Sequence, residues 1–217
     1  MAQRQMKKLA KDTAIYGLSS IIGKFLNWCL VPLYTYVLPS SADYGIVTNL
    51  YAWTALLLVI LTYGMETGFF RFANKSQEDP NKVYGTTLIS IGTTSLLFAG
   101  LCVIFSHPIA NGMGYENHPE FIAMLAVIVA MDAFDAIPFA YLRYKNRPIK
   151  FAALKLFMIF MNILFNIFFL VLCPIIAKKA PSLIDWFYNP SYGVGYIFVA
   201  NLISTLSVTL ALLPDIR

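Results

Sequence analysis

Asp132 and Asp135 stand three residues apart in the stretch "FIAMLAVIVAMDAFDAIPFAYLRYKNRPIK", residues 121–150, which is almost wholly apolar until Arg143, Lys145, Arg147 and Lys150 close it. At helical spacing the two carboxylates share a face. An ionised side chain at the centre of a bilayer costs roughly 2.5–3.5 kcal/mol on insertion scales, so two of them call for a partner charge, a water-filled cavity or protonation. The cations at comparable depth in neighbouring apolar runs are Lys24 and Lys155, with Arg143 nearer the surface. Two acids facing two lysines across a hydrated interior would offset much of the cost and leave a strongly polar site, the kind that carries ions, protons or charged substrates.

Other polar residues fall into line at three- and four-residue steps: Thr13, Gly17, Ser20, Lys24 and Asn27 in one run, Lys155, Asn162 and Asn166 in another, and Asn201, Ser204 and Thr205 in the last. Such stripes predict an interior lined with hydrogen-bonding groups. Thr86, Thr87, Ser90, Thr93 and Thr94 form a hydroxyl stripe that reads as helix–helix glue. In "TYGMETGFFRFANK", Gly64 and Gly68 make a G-x-x-x-G step, which predicts close helix packing. Glu66 and Arg71 in the same stretch, with Arg143, are candidates for an inner gate.

Six apolar runs carry these residues, at about 12–38, 44–72, 83–107, 119–143, 149–175 and 193–213, each long enough to cross roughly 30 Å of hydrocarbon as a helix. Composition agrees: 59% of the 217 residues are hydrophobic and only 12% are charged, too little polar surface to coat a soluble globule. The fold class is therefore an all-α membrane protein, one unit of six helices, with long apolar runs in place of the alternation of a barrel strand. The first run outlasts a signal-peptide core and reads as helix one.

Counting lysine and arginine places Arg4, Lys7, Lys8, Lys11, Arg71, Lys75, Lys82, Arg143, Lys145, Arg147, Lys150 and Arg217 on one side, against Lys178 and Lys179 on the other. This predicts cytoplasmic N- and C-termini and makes the net charge of +5 an orientation signal facing membrane lipid, with no need of nucleic acid. Cys29, Cys102 and Cys173 lie singly in separate runs, without metal or disulfide spacing. His107 and His118 read as loop residues. Segments outside the runs are too short for a catalytic domain and no nucleotide or metal motif is present, so the expectation is a protein that is not an enzyme and needs no cofactor.

The order "KDTAIYGLSSIIGKFLNWCLVPLYTYVLPSSADYGIVTNLYAW", "GMETGFFRFA" and "PFAYLRYKNRPIKFAALKL" resembles the N-terminal part of bacterial polysaccharide-biosynthesis flippases, in the multidrug/oligosaccharidyl-lipid/polysaccharide exporter superfamily. The pieces that carry the likeness are Tyr16-Gly17, Pro32-Leu33-Tyr34, Asp43-Tyr44-Gly45, Phe69-Phe70-Arg71 and Leu142-Arg143. None is a catalytic signature; their order and spacing make the case.

The resemblance implies the first six-helix lobe of a two-lobed, alternating-access exporter in the bacterial inner membrane, completed by a second lobe or by another copy of the chain. It implies a lipid-linked oligosaccharide, a polyprenyl-pyrophosphate sugar of O-antigen, lipopolysaccharide or capsule type, as substrate, and polymerase machinery as a further partner. On that reading Lys24 pairs with the phosphates, Asn27, Asn162, Asn166 and tyrosines hydrogen-bond sugar hydroxyls, Lys155 is a further substrate-binding residue, and Asp132 and Asp135 are the coupling or cavity charge. A drug antiporter of the superfamily is expected to carry an acid on helix one, where Lys24 stands here. The two acids of helix four nevertheless keep a cation-coupled multidrug antiporter half as an alternative, beside a non-transporting scaffold for glycan assembly.

Overall fold

The computed structural model describes residues 2–38, 40–75 and 79–216, with the backbone alone for residues 2–5, 7–9, 12, 27 and 75. Six helices are long and apolar enough to cross a membrane: helix one, Thr13–Val37; helix two, Ser41–Asn74; helix three, Pro80–Ile104; helix four, Pro119–Tyr144; helix five, Pro148–Lys179; helix six, Gly195–Asp215. The chain is an all-helical, multi-pass membrane protein. Helices three, four and five each begin on a proline, whose missing N–H falls among donors that have no intrahelical partner anyway. Ser40 caps helix two, its hydroxyl accepting from the Asp43 amide at 3.2 Å.

Helix four is the most buried of the six and packs against helices two, three, five and six. Its buried side, from Phe121 through Ile128 and Ala133 to Leu142, forms the spine of the bundle. Pro138 is accommodated within it, and the helix continues to Tyr144. Helices one and two lie at the margin and leave most of their surface uncovered.

Three of the spans are interrupted, and each interruption has a local cause. Helix one divides at Cys29 into Ala2–Trp28 and Leu30–Val37. Pro32 lies four residues beyond Trp28, so the carbonyl of Trp28 loses its donor just where the helix breaks. Helix two divides into Ser41–Thr62 and Met65–Lys75 at Tyr63 (φ 33°) and Gly64 (φ 72°), both left-handed. In helix five a π-helical turn, Phe168–Leu172, precedes Pro174, which cannot donate to the residue four back.

The break in helix two corrects the reading of Gly64 and Gly68. A Cβ on either would meet no atom within 4 Å, so neither brings two helices together. Gly23 does so instead: a Cβ there would lie 2.7 Å from Ile159 Cδ1, and helix one packs on helix five through it. In the hydroxyl stripe of helix three, Thr87, Thr93 and Thr94 donate to carbonyls of their own helix, while the Ser90 hydroxyl pairs with that of Tyr63 at 2.9 Å, so the stripe ties helix three to helix two at that one point among the described residues.

Candidate functional site

Two cavities open into the interior, and Asp132 and Met158 belong to the walls of both. The first, of about 480 Å³, lies toward the basic end of the bundle and gathers Glu66, Asp132, Asp135, Arg143 and Lys155. Five ionisable side chains from helices two, four and five thus share one recess. Thr62 and Glu66, on either side of the break at Tyr63–Gly64, both line its wall.

Glu66 accepts a hydrogen bond from the Arg143 guanidinium, forming an ion pair between helices two and four. The guanidinium carbon also sits 5.6 Å from the Phe70 ring centre and 5.7 Å from that of Phe151. A planar cation held between aromatic faces and a carboxylate is well oriented. Glu66 is therefore paired with Arg143 and not with Arg71, which is exposed and has no ion-pair partner among the described residues.

Asp135 is 3% exposed. Thr209 Oγ1 donates to its Oδ2 at 2.8 Å, while its Oδ1 has no hydrogen-bond partner among the described residues. Asp132, one turn away, receives a longer contact of 3.5 Å from Thr205 Oγ1. Lys155 shares the recess with both acids but makes no direct ion pair among the described residues; its Nζ lies 4.1 Å from the Phe139 ring centre. The arrangement is a loose one. Charges of opposite sign lie in one cavity, held by hydroxyls and a ring, and they leave Lys155 able to meet an anion and the acids able to exchange a proton or a small cation.

The second cavity, of about 490 Å³, lies toward the other end. Tyr34, Tyr44, Thr48, Tyr51, Asn162 and Asn201 line it. Asn201 Nδ2 donates to the Tyr51 hydroxyl at 3.1 Å, joining helices six and two. Behind the wall Asn166 is fully buried, accepting from the Tyr34 hydroxyl at 3.0 Å and donating to the Asn162 side chain at 3.1 Å. Asn166 thus holds Tyr34 and Asn162 in place and does not itself line the cavity.

Lys24 lies apart from both cavities. It is exposed, next in the chain to the buried Gly23 but turned away from the Gly23–Ile159 contact, with no ion pair among the described residues, in a stripe with Gly17 and Ser20. The expected approach of Lys24 to Asp132 and Asp135 is not formed, because the close packing at Gly23 turns the next residue outward. The Asn27 side chain lies outside the described residues.

Helix six supplies what the sequence left faint. Ser204 Oγ donates to the Met158 carbonyl at 2.6 Å, and with Asn201, Thr205 and Thr209 it ties helix six to helices two, four and five. These residues follow a spacing of three, one and four, one face of a helix. The tyrosine cavity had a signal too: Tyr44 and Tyr51 are seven residues apart, two turns on the same face.

At the basic end a separate cluster ties the last turn of helix six to the start of helix five. Lys150 Nζ approaches the buried Asp215 carboxylate at 2.7 and 2.8 Å, Arg147 stands at 3.9 Å, and the Tyr84 hydroxyl donates to the Asp215 carbonyl at 3.1 Å.

The class defined here is a membrane protein of six apolar spans with an ionisable recess among them. The chain belongs to the family described as polysaccharide biosynthesis protein, whose pattern it matches over residues 38–185, well over half its length. That region contains Glu66, Asp132, Asp135, Arg143, Lys155, Asn162 and Asn166. Comparison with curated proteins and with solved structures found no match. Membership sets the protein in polysaccharide biosynthesis and export at a membrane.

Proposed function

We propose that this chain is a lobe of a bacterial inner-membrane transporter, and not an enzyme, that moves lipid-linked oligosaccharide across the bilayer. The observation that carries this reading is Lys155: a cation within the apolar bundle, sharing a recess with two acids yet bonded directly to neither. A structural lysine at that depth gains most from a close pair. One without such a pair is available to a pyrophosphate, whose charges it would partly neutralise. Asp135, whose Oδ1 has no hydrogen-bond partner among the described residues, then has a role of its own, because taking up a proton or a cation would offset its repulsion of the incoming phosphate while Asp132 keeps its charge.

The Glu66–Arg143 pair closes the recess toward the basic end, which the lysine and arginine count makes cytoplasmic. Opening that pair would admit the substrate, so it acts as the inner gate, with the exposed Arg71 outside it. Lys24 lies on the uncovered stripe of helix one, the side on which a second lobe or another copy of the chain would sit, and would meet phosphate only in that assembly.

The unpaired Oδ1 of Asp135 favours a second reading, a cation-coupled antiporter, because a buried acid with spare acceptor capacity suits a small cation. Complementation of a glycan-export defect separates the two. Lys155→Met that folds but abolishes export, with partial retention in Lys155→Arg, supports the phosphate role. Normal export with Lys155→Met removes it, and drug-dependent growth would then favour the antiporter.

A further inference from the structure

Among the described residues, the cavity lined by Tyr34, Tyr44, Tyr51, Thr48, Asn162 and Asn201 has no cationic side chain in its wall, and the one charged group there is the carboxylate of Asp132. Phenol rings offer flat apolar faces to the C–H side of a pyranose, while amides and hydroxyls offer paired donors and acceptors to its hydroxyls. Its volume of about 490 Å³ is that of a small-ligand site, which run from roughly 300 to 1,000 Å³. Its polar groups are prepared but not exhausted. The Tyr44 hydroxyl makes no hydrogen bond among the described residues, and Tyr51, which accepts from Asn201, retains its own proton to donate.

This cavity adjoins the Lys155 recess through Asp132 and Met158. The geometry points to a second subsite in the tyrosine cavity, one that receives an uncharged sugar while the pyrophosphate rests at Lys155. This inference depends on the transport reading above and adds to it a selectivity. A uronic or otherwise acidic sugar would face Asp132 with no cation to compensate, so neutral sugars and amino sugars are favoured over acidic ones.

The test uses the full chain in detergent and three probes: a short-chain polyprenyl pyrophosphate without sugar, the same lipid carrying one neutral hexose, and the same lipid carrying one uronic acid. Dissociation constants are read by native mass spectrometry. The neutral-sugar lipid should bind about five- to tenfold tighter than the bare lipid, and the uronic lipid no tighter than the bare one. Tyr44→Phe breaks no hydrogen bond within the described residues and should erase part of the neutral-sugar advantage while leaving the bare lipid unchanged. Thr48→Lys places a cation at an exposed position in the cavity wall and should raise affinity for the uronic lipid selectively. Equal binding of bare and neutral-sugar lipids, or a preference of the wild type for the uronic lipid, overturns the subsite and leaves the transport reading standing. Failure of all three lipids to bind overturns both.

Discussion

Asp135 and Thr209 offer the sharpest energetic test of the recess. The carboxylate is 3% exposed and takes its one hydrogen bond, 2.8 Å long, from Thr209. Thr209→Val keeps the shape of the side chain and removes that donor, leaving the acid with no partner among the described residues. A hydrogen bond to a charged group contributes roughly 1.5–3 kcal/mol and one between neutral groups roughly 0.5–1.5 kcal/mol. Thr209→Val should therefore destabilise the wild type by about 2–3 kcal/mol, but the Asp135→Asn protein, whose amide carries no charge, by only about 1 kcal/mol. The coupling from the double-mutant cycle should be about 1–2 kcal/mol, well above the roughly 0.6 kcal/mol average of ordinary contacts between membrane helices. Equilibrium unfolding of the four proteins in mixed micelles measures it. A coupling within about 0.5 kcal/mol of zero would mean that Thr209 is not what supports the acid, and that the recess is organised differently.

The other expectations are simpler. Gly64→Ala forces a Cβ onto a left-handed residue and should cost about 1–2 kcal/mol, whereas Gly68→Ala should be near neutral; equal damage from both would restore the helix-packing reading. Arg143→Lys should not rescue gating, since a lysine loses the planar contact with Phe70, Phe151 and Glu66, while exchange of the Glu66 and Arg143 charges should recover part of the export lost in either single variant. Lys150→Met should lower stability by about 1–2 kcal/mol, moderated by the exposure of the lysine and the nearness of Arg147, and in an Asp215→Asn background the same change should cost little. Cysteines placed at 82 and 113 in a cysteine-free protein should be labelled in intact cells from outside at 113 alone.

The presence of six apolar spans was legible in the sequence because apolar length is a local property, whereas the starts of helices three, four and five are set by Pro80, Pro119 and Pro148, which apolar length alone does not mark. The acids were legible for the same reason, as charges where the surrounding chain has none. Partner choice was not. Glu66 has Arg71 five residues away and Arg143 seventy-seven away, and only the packing of helix two on helix four decides for the distant one. Gly64-x-x-x-Gly68 reads identically whether it packs a helix or breaks one. Lys24 showed depth but not direction, since the outward turn of its helix face is set by Gly23 meeting Ile159 across the bundle. The tyrosine cavity was legible only in part: tyrosines as a class were expected to meet sugar, but Tyr44 and Tyr51 at helical spacing in an apolar run look the same as ordinary core.

The central claim is that Lys155 meets the phosphate of a lipid-linked sugar on its way across the membrane. The most direct measurement is flux of a fluorescent polyprenyl-pyrophosphate sugar across proteoliposomes containing the wild type or folded Lys155→Met protein, scored as the fraction of label protected from an impermeant quencher. The account predicts time-dependent translocation by the wild type that falls to the protein-free baseline in Lys155→Met and is partly kept in Lys155→Arg. Wild-type flux in Lys155→Met would contradict it.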